Sequence, residues 1–163
     1  MALNAYLRLK GQKQGEIKGS VLQKGRENKI QVIAVSHDIT SPRDAASGLP
    51  TGRRMHKPLM ITKELDKSSP LLYTAMINNE NIIEFELQFW TPQIGAKGGI
   101  SQEKQHYTIR LKNASISDIK FRMPNNKIPE LANLAEYEEI SFTYQQIEWV
   151  WTDGSLTSAD TWL

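Results

Sequence analysis

Residues 53–80 read RRMHKPLMITKELDKSSPLLYTAMINNE and hold the one clear helix signal in a chain otherwise patterned for strands. Ser69 is suited to cap a helix N-terminus, because its hydroxyl can accept from an early backbone N–H. Pro70 then falls at the first helical position, where its fixed φ fits and its missing N–H costs little. Leu71 with Ala75, and Leu72 with Met76, repeat at i, i+4 and predict one apolar stripe. Asn78 and Asn79 suit a left-handed stop. A helix of about ten residues is too short to stand alone in water, so it must lean on neighbouring strands. Leu59, Met60, Ile61 and Thr62 supply one such strand. Lys63, Glu64, Asp66 and Lys67 read as a charged connector at the surface.

Outward from this stretch, period 2 dominates. Leu3, Ala5, Leu7 and Leu9 alternate with Asn4, Tyr6 and Arg8, a half-buried strand. Gly11–Gly15 is a turn, Ile17–Leu22 a second strand, and Ile30–Val35 a denser, more buried one that continues towards Ile39. Beyond the helix, Ile83, Phe85, Leu87 and Phe89 alternate with Glu84, Glu86 and Gln88. Thr91–Glu103, with Gly95, Gly98 and Gly99, reads as a glycine-rich connection. Tyr107, Ile109 and Leu111 follow in phase, and then the apolar phase slips. Ala114 and Ile116 are even, while Ile119, Phe121 and Met123 are odd. A second slip separates Tyr144 from Ile147, near Gln145. Slips within long strands predict bulges or bends, which curve a sheet. Pro124–Glu136 breaks the pattern, Asp153-Gly154 turns the chain, and Ser155–Leu163 reads as a short tail.

These features predict about eight strands and one helix: a mainly β, antiparallel barrel in one domain spanning residues 1–163. The exception is Asp38–Gly52. It holds Pro42, Gly48, Pro50 and Gly52 and little periodicity. A loop of that length inside a compact domain needs a reason.

Composition narrows the function. Charged residues are 23% and apolar residues 39%, which fits a globular chain. A formal charge of +2 is too small to imply nucleic acid. No apolar run reaches the roughly 20 residues of a membrane span, so membrane insertion is not expected. The start, MALNAYLRLKG, interrupts its apolar pattern with Arg8 and Lys10 and does not read as a cleavable signal. With no cysteine, thiol chemistry and disulfides are excluded.

Candidate chemistry is thin. Glu84 and Glu86 share a strand face about 7 Å apart, a spacing open to a glycosidase pair, but alternation alone explains them. His37, His56 and His106 are the only histidines and do not form a helical metal pair. His56 beside Arg53, Arg54 and Lys57 could hold an anion or simply face solvent. Gly95–Gly99 lacks phosphate-loop spacing. Trp149 and Trp151 share a strand face and suit a packed core or a subunit contact better than a stacking platform. No catalytic, cofactor or metal site is expected.

The run RMHKPLMITKELDKSSPLLYTA (residues 54–75) closely resembles the haemolysin co-regulated (Hcp) proteins, tube subunits of bacterial type VI secretion. The resemblance extends to YLRLK (residues 6–10), IKGSV (17–21), QIEWVWTDG (146–154) and SADTW (158–162), in order along the chain. It implies a β-barrel of two packed sheets with a flanking helix, and homo-hexameric rings stacked into a tube. It implies partners in the sheath, spike and baseplate, effector cargo in the lumen, and synthesis in the cytoplasm followed by secretion without a cleaved signal. It also implies a structural protein rather than an enzyme. An extended loop near residues 40–50 reaches the adjacent ring in such proteins, so Arg43, Asp44, Ser47 and Gly48 are the expected ring-stacking residues. A carbohydrate-binding or glycoside-cleaving barrel is the alternative, and a carboxylate-bearing pocket would favour it.

Overall fold

The computed structural model describes residues 4–94, 100–152 and 154–163. Its strands are β1 (Asn4–Gly11), β2 (Gly15–Ile17), β3 (Ile30–Val32), β4 (Ala34–Ser36), β5 (Ile39–Thr40), β6 (Met55–His56) and β7 (Leu59–Glu64). After helix α1 (Ser69–Ile77) come β8 (Ile82–Ile94), β9 (Ile100–Lys112), β10 (Ser115–Arg122), β11 (Tyr137–Thr143), β12 (Gln146–Trp151) and β13 (Leu156–Thr161). One sheet has seven strands in the order β13-β12-β9-β8-β1-β2, with β3 also on β1. The second has four, β10-β11-β7-β4, and β5 pairs β6 alone. All pairings are antiparallel.

The two larger sheets pack face to face. Leu7, Leu9, Leu87, Leu111 and Ile147 of one meet Leu59, Ile61 and Ile140 of the other, all buried. Phe85 and Phe142 join edge to face across the gap at 4.9 Å. Each such side chain contributes about 1.5–3 kcal/mol of burial free energy.

The phase slips mark more than bulges. The chain passes from the seven-stranded to the four-stranded sheet between β9 and β10, and returns between β11 and β12. Asn113 turns the first corner with φ 51°, and Gln145 turns the second, its N–H donating to the Lys112 carbonyl at 3.1 Å. A third corner at Ile33 splits the expected Ile30–Val35 strand into β3 and β4, which lie in different sheets. A true bulge follows at Ile116–Asp118. The in-facing residue changes parity at these points because the face that is inward changes with the sheet.

Several readings need correction. The helix begins one residue earlier than expected, with Ser68 at the cap and Ser69 inside. The Ser69 hydroxyl caps nothing: it donates to Glu138 at 2.5 Å and accepts from Lys63 and the Asp66 N–H, each at 3.1 Å. The buried stripe is Leu72, Ala75 and, partly, Met76, while Leu71 is 37% exposed. Of the two residues read as a left-handed stop, Asn79 takes φ 48° while Asn78, the C-cap, stays at φ −91°. Lys63 is not at the surface. It continues the inward series Leu59, Ile61, Lys63 and is fully buried. Ile82, not Ile83, fills the core at the start of β8, because the register against β1 shifts there. Only Ile17 of Ile17–Leu22 is strand; Gly19 comes so close to the Lys29 carbonyl that an added Cβ would lie 2.4 Å from it. The expected tail is β13, an edge strand on β12. Most of the expected Thr91–Glu103 connection belongs to β8 and β9; Gly95, Gly98, Gly99 and, in the later turn, Asp153 lie outside the described residues.

Candidate functional site

The long segment Asp38–Gly52 is built as a hairpin. Ile39 pairs with His56 and Thr40 with Met55, and a further bridge joins Arg43 to Pro50. Thr51 N–H donates to the Pro42 carbonyl at 3.1 Å and Asp44 N–H to the Leu49 carbonyl at 2.8 Å. At the tip the Asp44 carboxylate accepts from the Ser47 N–H at 2.8 Å and the Ser47 hydroxyl at 2.7 Å. These bonds hold the carboxyl of Asp44 below its ordinary range. Gly48 takes φ 73°, a conformation that a side chain would strain. Of the four expected residues, then, Asp44, Ser47 and Gly48 shape the turn, and Arg43 sits in its last bridge. From Asp38 to Met55 every residue but Pro42 is exposed, including the apolar Leu49 at 64% and Met55 at 52%.

The root of this hairpin is buried and polar. His56 bonds through Nδ1 to the Tyr144 hydroxyl at 2.7 Å and through Nε2 to Asp160 at 2.8 Å. His37, on the outgoing arm, reaches the same hydroxyl through Nε2 at 2.8 Å. Arg54 forms a two-pronged pair with Asp160. Trp162 stacks on His56 at 5.8 Å and meets Tyr144 edge-on at 4.9 Å. The Arg54 hydrogen bond is the main cause that holds the Asp160 carboxyl far below its usual range, with His56 adding to it. Burial, then the Asp160 charge, push the Tyr144 phenol up to about 12. The basic cluster, open between an anion site and a solvated face, has Arg54 and the buried His56 already bonded to Asp160. Sequence reasoning missed this network because its hydrogen-bonded members lie up to 107 residues apart.

The outer face of the seven-stranded sheet carries Glu84 and Glu86. Register places Arg8, Glu86, Arg110 and Glu148 in one row across β1, β8, β9 and β12, alternating in sign. Glu84 pairs with Arg8 at 3.1 Å and Glu86 lies 3.8 Å from Arg110. Opposite charges on neighbouring strands stabilise the sheet, which accounts for both carboxylates without chemistry. Trp149 packs partly against the core, and Trp151 is 44% exposed beside Tyr107 and His106.

The family described as "Type VI secretion system effector, Hcp" matches residues 6–151. A protein named "Major exported protein" from Pseudomonas aeruginosa is 36% identical, over 99% of this chain and 96% of its own. Among solved structures, a "Crystal structure of Hcp protein" superposes with TM-score 0.87 at 30% identity, covering 99% of both chains. The Hcp1 protein of E. coli superposes at 0.81 with 31% identity, over 99% of this chain and 100% of that one. Nothing in these relatives supports the carbohydrate-binding alternative. The family match and the likeness in sequence and fold over nearly the whole chain place it in the Hcp family, the tube subunits of type VI secretion.

Proposed function

We propose that the chain acts as one structural domain that closes into homo-hexameric rings, and that the hairpin Ile39–His56 joins each ring to the next. The observation that carries this reading is an ordered hairpin, anchored at its root, with its arms and tip exposed. Leu49 and Met55 give it apolar surface with no core to cover, and Arg43 gives it a charge near the tip. A partner must supply the cover, and a pre-shaped hairpin loses little entropy when it docks. Asp44, Ser47 and Gly48 act by fixing the tip.

Ring contacts of this kind are head to tail, so closure sets the subunit number. Among the described residues the larger sheet ends at β13 and β2 and the smaller at β10 and β4, and these edges are available to neighbouring subunits. The same reading has the protein made in the cytoplasm, loaded without a cleaved signal, exported with effectors in the lumen, and engaged by sheath, spike and baseplate. Its role is structural, with no enzymatic activity of its own. Light scattering of purified protein at tens of micromolar tests the ring. Six times the mass of one chain is expected, and monomer alone would overturn the proposal.

A further inference from the structure

One phenol oxygen stands between two imidazoles at the root of the hairpin, and the proton count there is limited. The groups facing it are His37 and Asp38 on the outgoing arm, Arg54 and His56 on the returning arm, Tyr144 at the sheet corner and Asp160 on β13. Arg53 and Lys57 flank them but are exposed. A neutral His56 must carry its proton on Nε2, since a bare Nε2 would face the Asp160 carboxylate at 2.8 Å. Nδ1 is then an acceptor, so Tyr144 donates to it, and His37 must donate to Tyr144 through Nε2–H. A charged His56 donates to Tyr144 instead, and Tyr144 can then donate to a neutral His37. In both arrangements every contact carries one proton. With both rings charged, two cations press on one phenol oxygen and the phenol proton has no acceptor in the chain of bonds.

We propose that Tyr144 is the positioning residue that fixes the two arms of the hairpin to the barrel, and that a second proton, arriving on His37, loosens them. This rests on the reading of the hairpin as the ring-to-ring contact, and it makes that contact weaken in acid. The burial of His37 agrees, holding its imidazole below the ordinary range, with the His56 charge acting in the same direction. A base disfavoured in its charged form stabilises the closed root above its open-state pKa, and this is lost as pH falls below it. The acid-sensitive window therefore lies below about pH 6.5, the unperturbed histidine value.

Hydrogen exchange of the full chain, corrected for intrinsic rates, reads this without any need for tubes to form. Between pH 7.5 and 5.0, amides of 38–57 should lose protection several-fold while those of β8 do not. His37→Gln keeps an N–H donor for Tyr144 and cannot take a proton, so its hairpin should stay protected at pH 5.0. Unchanged wild-type protection, or equal loss in H37Q, overturns the proposal. Should H37Q be unprotected already at pH 7.5, nitrogen NMR of the wild-type rings decides. Charging of His37 and loss of protection must then share one midpoint, and separate midpoints overturn it. If shortened hairpins still polymerise, the stacking reading fails while this exchange behaviour stands.

Discussion

The ammonium of Lys63 lies 2.8 Å from the Glu138 carboxylate, and neither side chain has any solvent exposure. The pair ties β7 to β11 and, through Ser69 Oγ, to the start of α1. Asp66 adds a second carboxylate 3.1 Å from the same ammonium. Removing one partner leaves a buried charge, so Lys63→Met should cost roughly 3–5 kcal/mol, and adding Glu138→Leu should recover most of it. Urea titration of the single and double variants checks this. Equal stability of Lys63→Met and the wild-type protein would show that the pair is not what ties the helix down.

The helix gives a sharper contrast. Ala75 is 1% exposed and Leu71 is 37% exposed. A buried carboxylate without a partner costs several kcal/mol, so Ala75→Asp should unfold the protein or lower its Tm steeply. Leu71→Asp should change Tm by only a few degrees. Melting curves that rank the two variants the other way would place the wrong face inward.

Lys63 and the helix also show what was legible. Alternation in Leu59, Ile61 and Lys63 already pointed the lysine inward; the expectation that charge lies outside overrode it, and Glu138, its partner, is 75 residues away. Likewise Leu71 and Leu72 are equally apolar, and only the way α1 docks on the folded core decides between them. The strands β1, β7, β8 and β11, the helix and the odd character of Asp38–Gly52 were readable from period and punctuation, while β13 read as a tail and the ends of β8 and β9 as a connection. The sheet corners were visible as phase slips, but a slip alone does not distinguish a bulge from a change of sheet. The root network was not readable, because side chains from three distant segments meet only after folding.

At Gly19 the obstacle to a side chain is backbone. A Cβ there would stand 2.4 Å from the Lys29 carbonyl oxygen and 2.7 Å from the Ile30 Cα. Gly19→Ala should therefore cost about 1–3 kcal/mol, as overpacking does. At Gly11 the obstacle is the end of the Glu80 side chain, which can move, so Gly11→Ala should cost less. Thermal melts of both variants check the order.

Asp160 should shape the acid limb of stability. Its carboxyl is held below the ordinary range by Arg54 first and His56 next. A depressed carboxylate stabilises the fold above its unfolded pKa, near 3.9, and that contribution is lost as pH falls through the folded value. Asp160→Asn should lower stability at pH 7 and flatten its decline below about pH 4. At the alkaline end the sign reverses for Tyr144. Its phenol is pushed up to about 12, so its contribution is present below about pH 10 and lost on the way up. Stability measured against pH for Asp160→Asn and Tyr144→Phe separates the two limbs.

A hairpin that joins rings into a tube can be tested at its tip. Replacing residues 43–49 with a short Gly-Ser linker removes the tip while leaving His37, His56, Tyr144 and Asp160 in place. Electron microscopy of this variant at high concentration, beside the wild-type protein, is the direct measurement. Intact hexameric rings that fail to stack and are not secreted are expected. Tubes of wild-type length, secreted at the wild-type level, would contradict it.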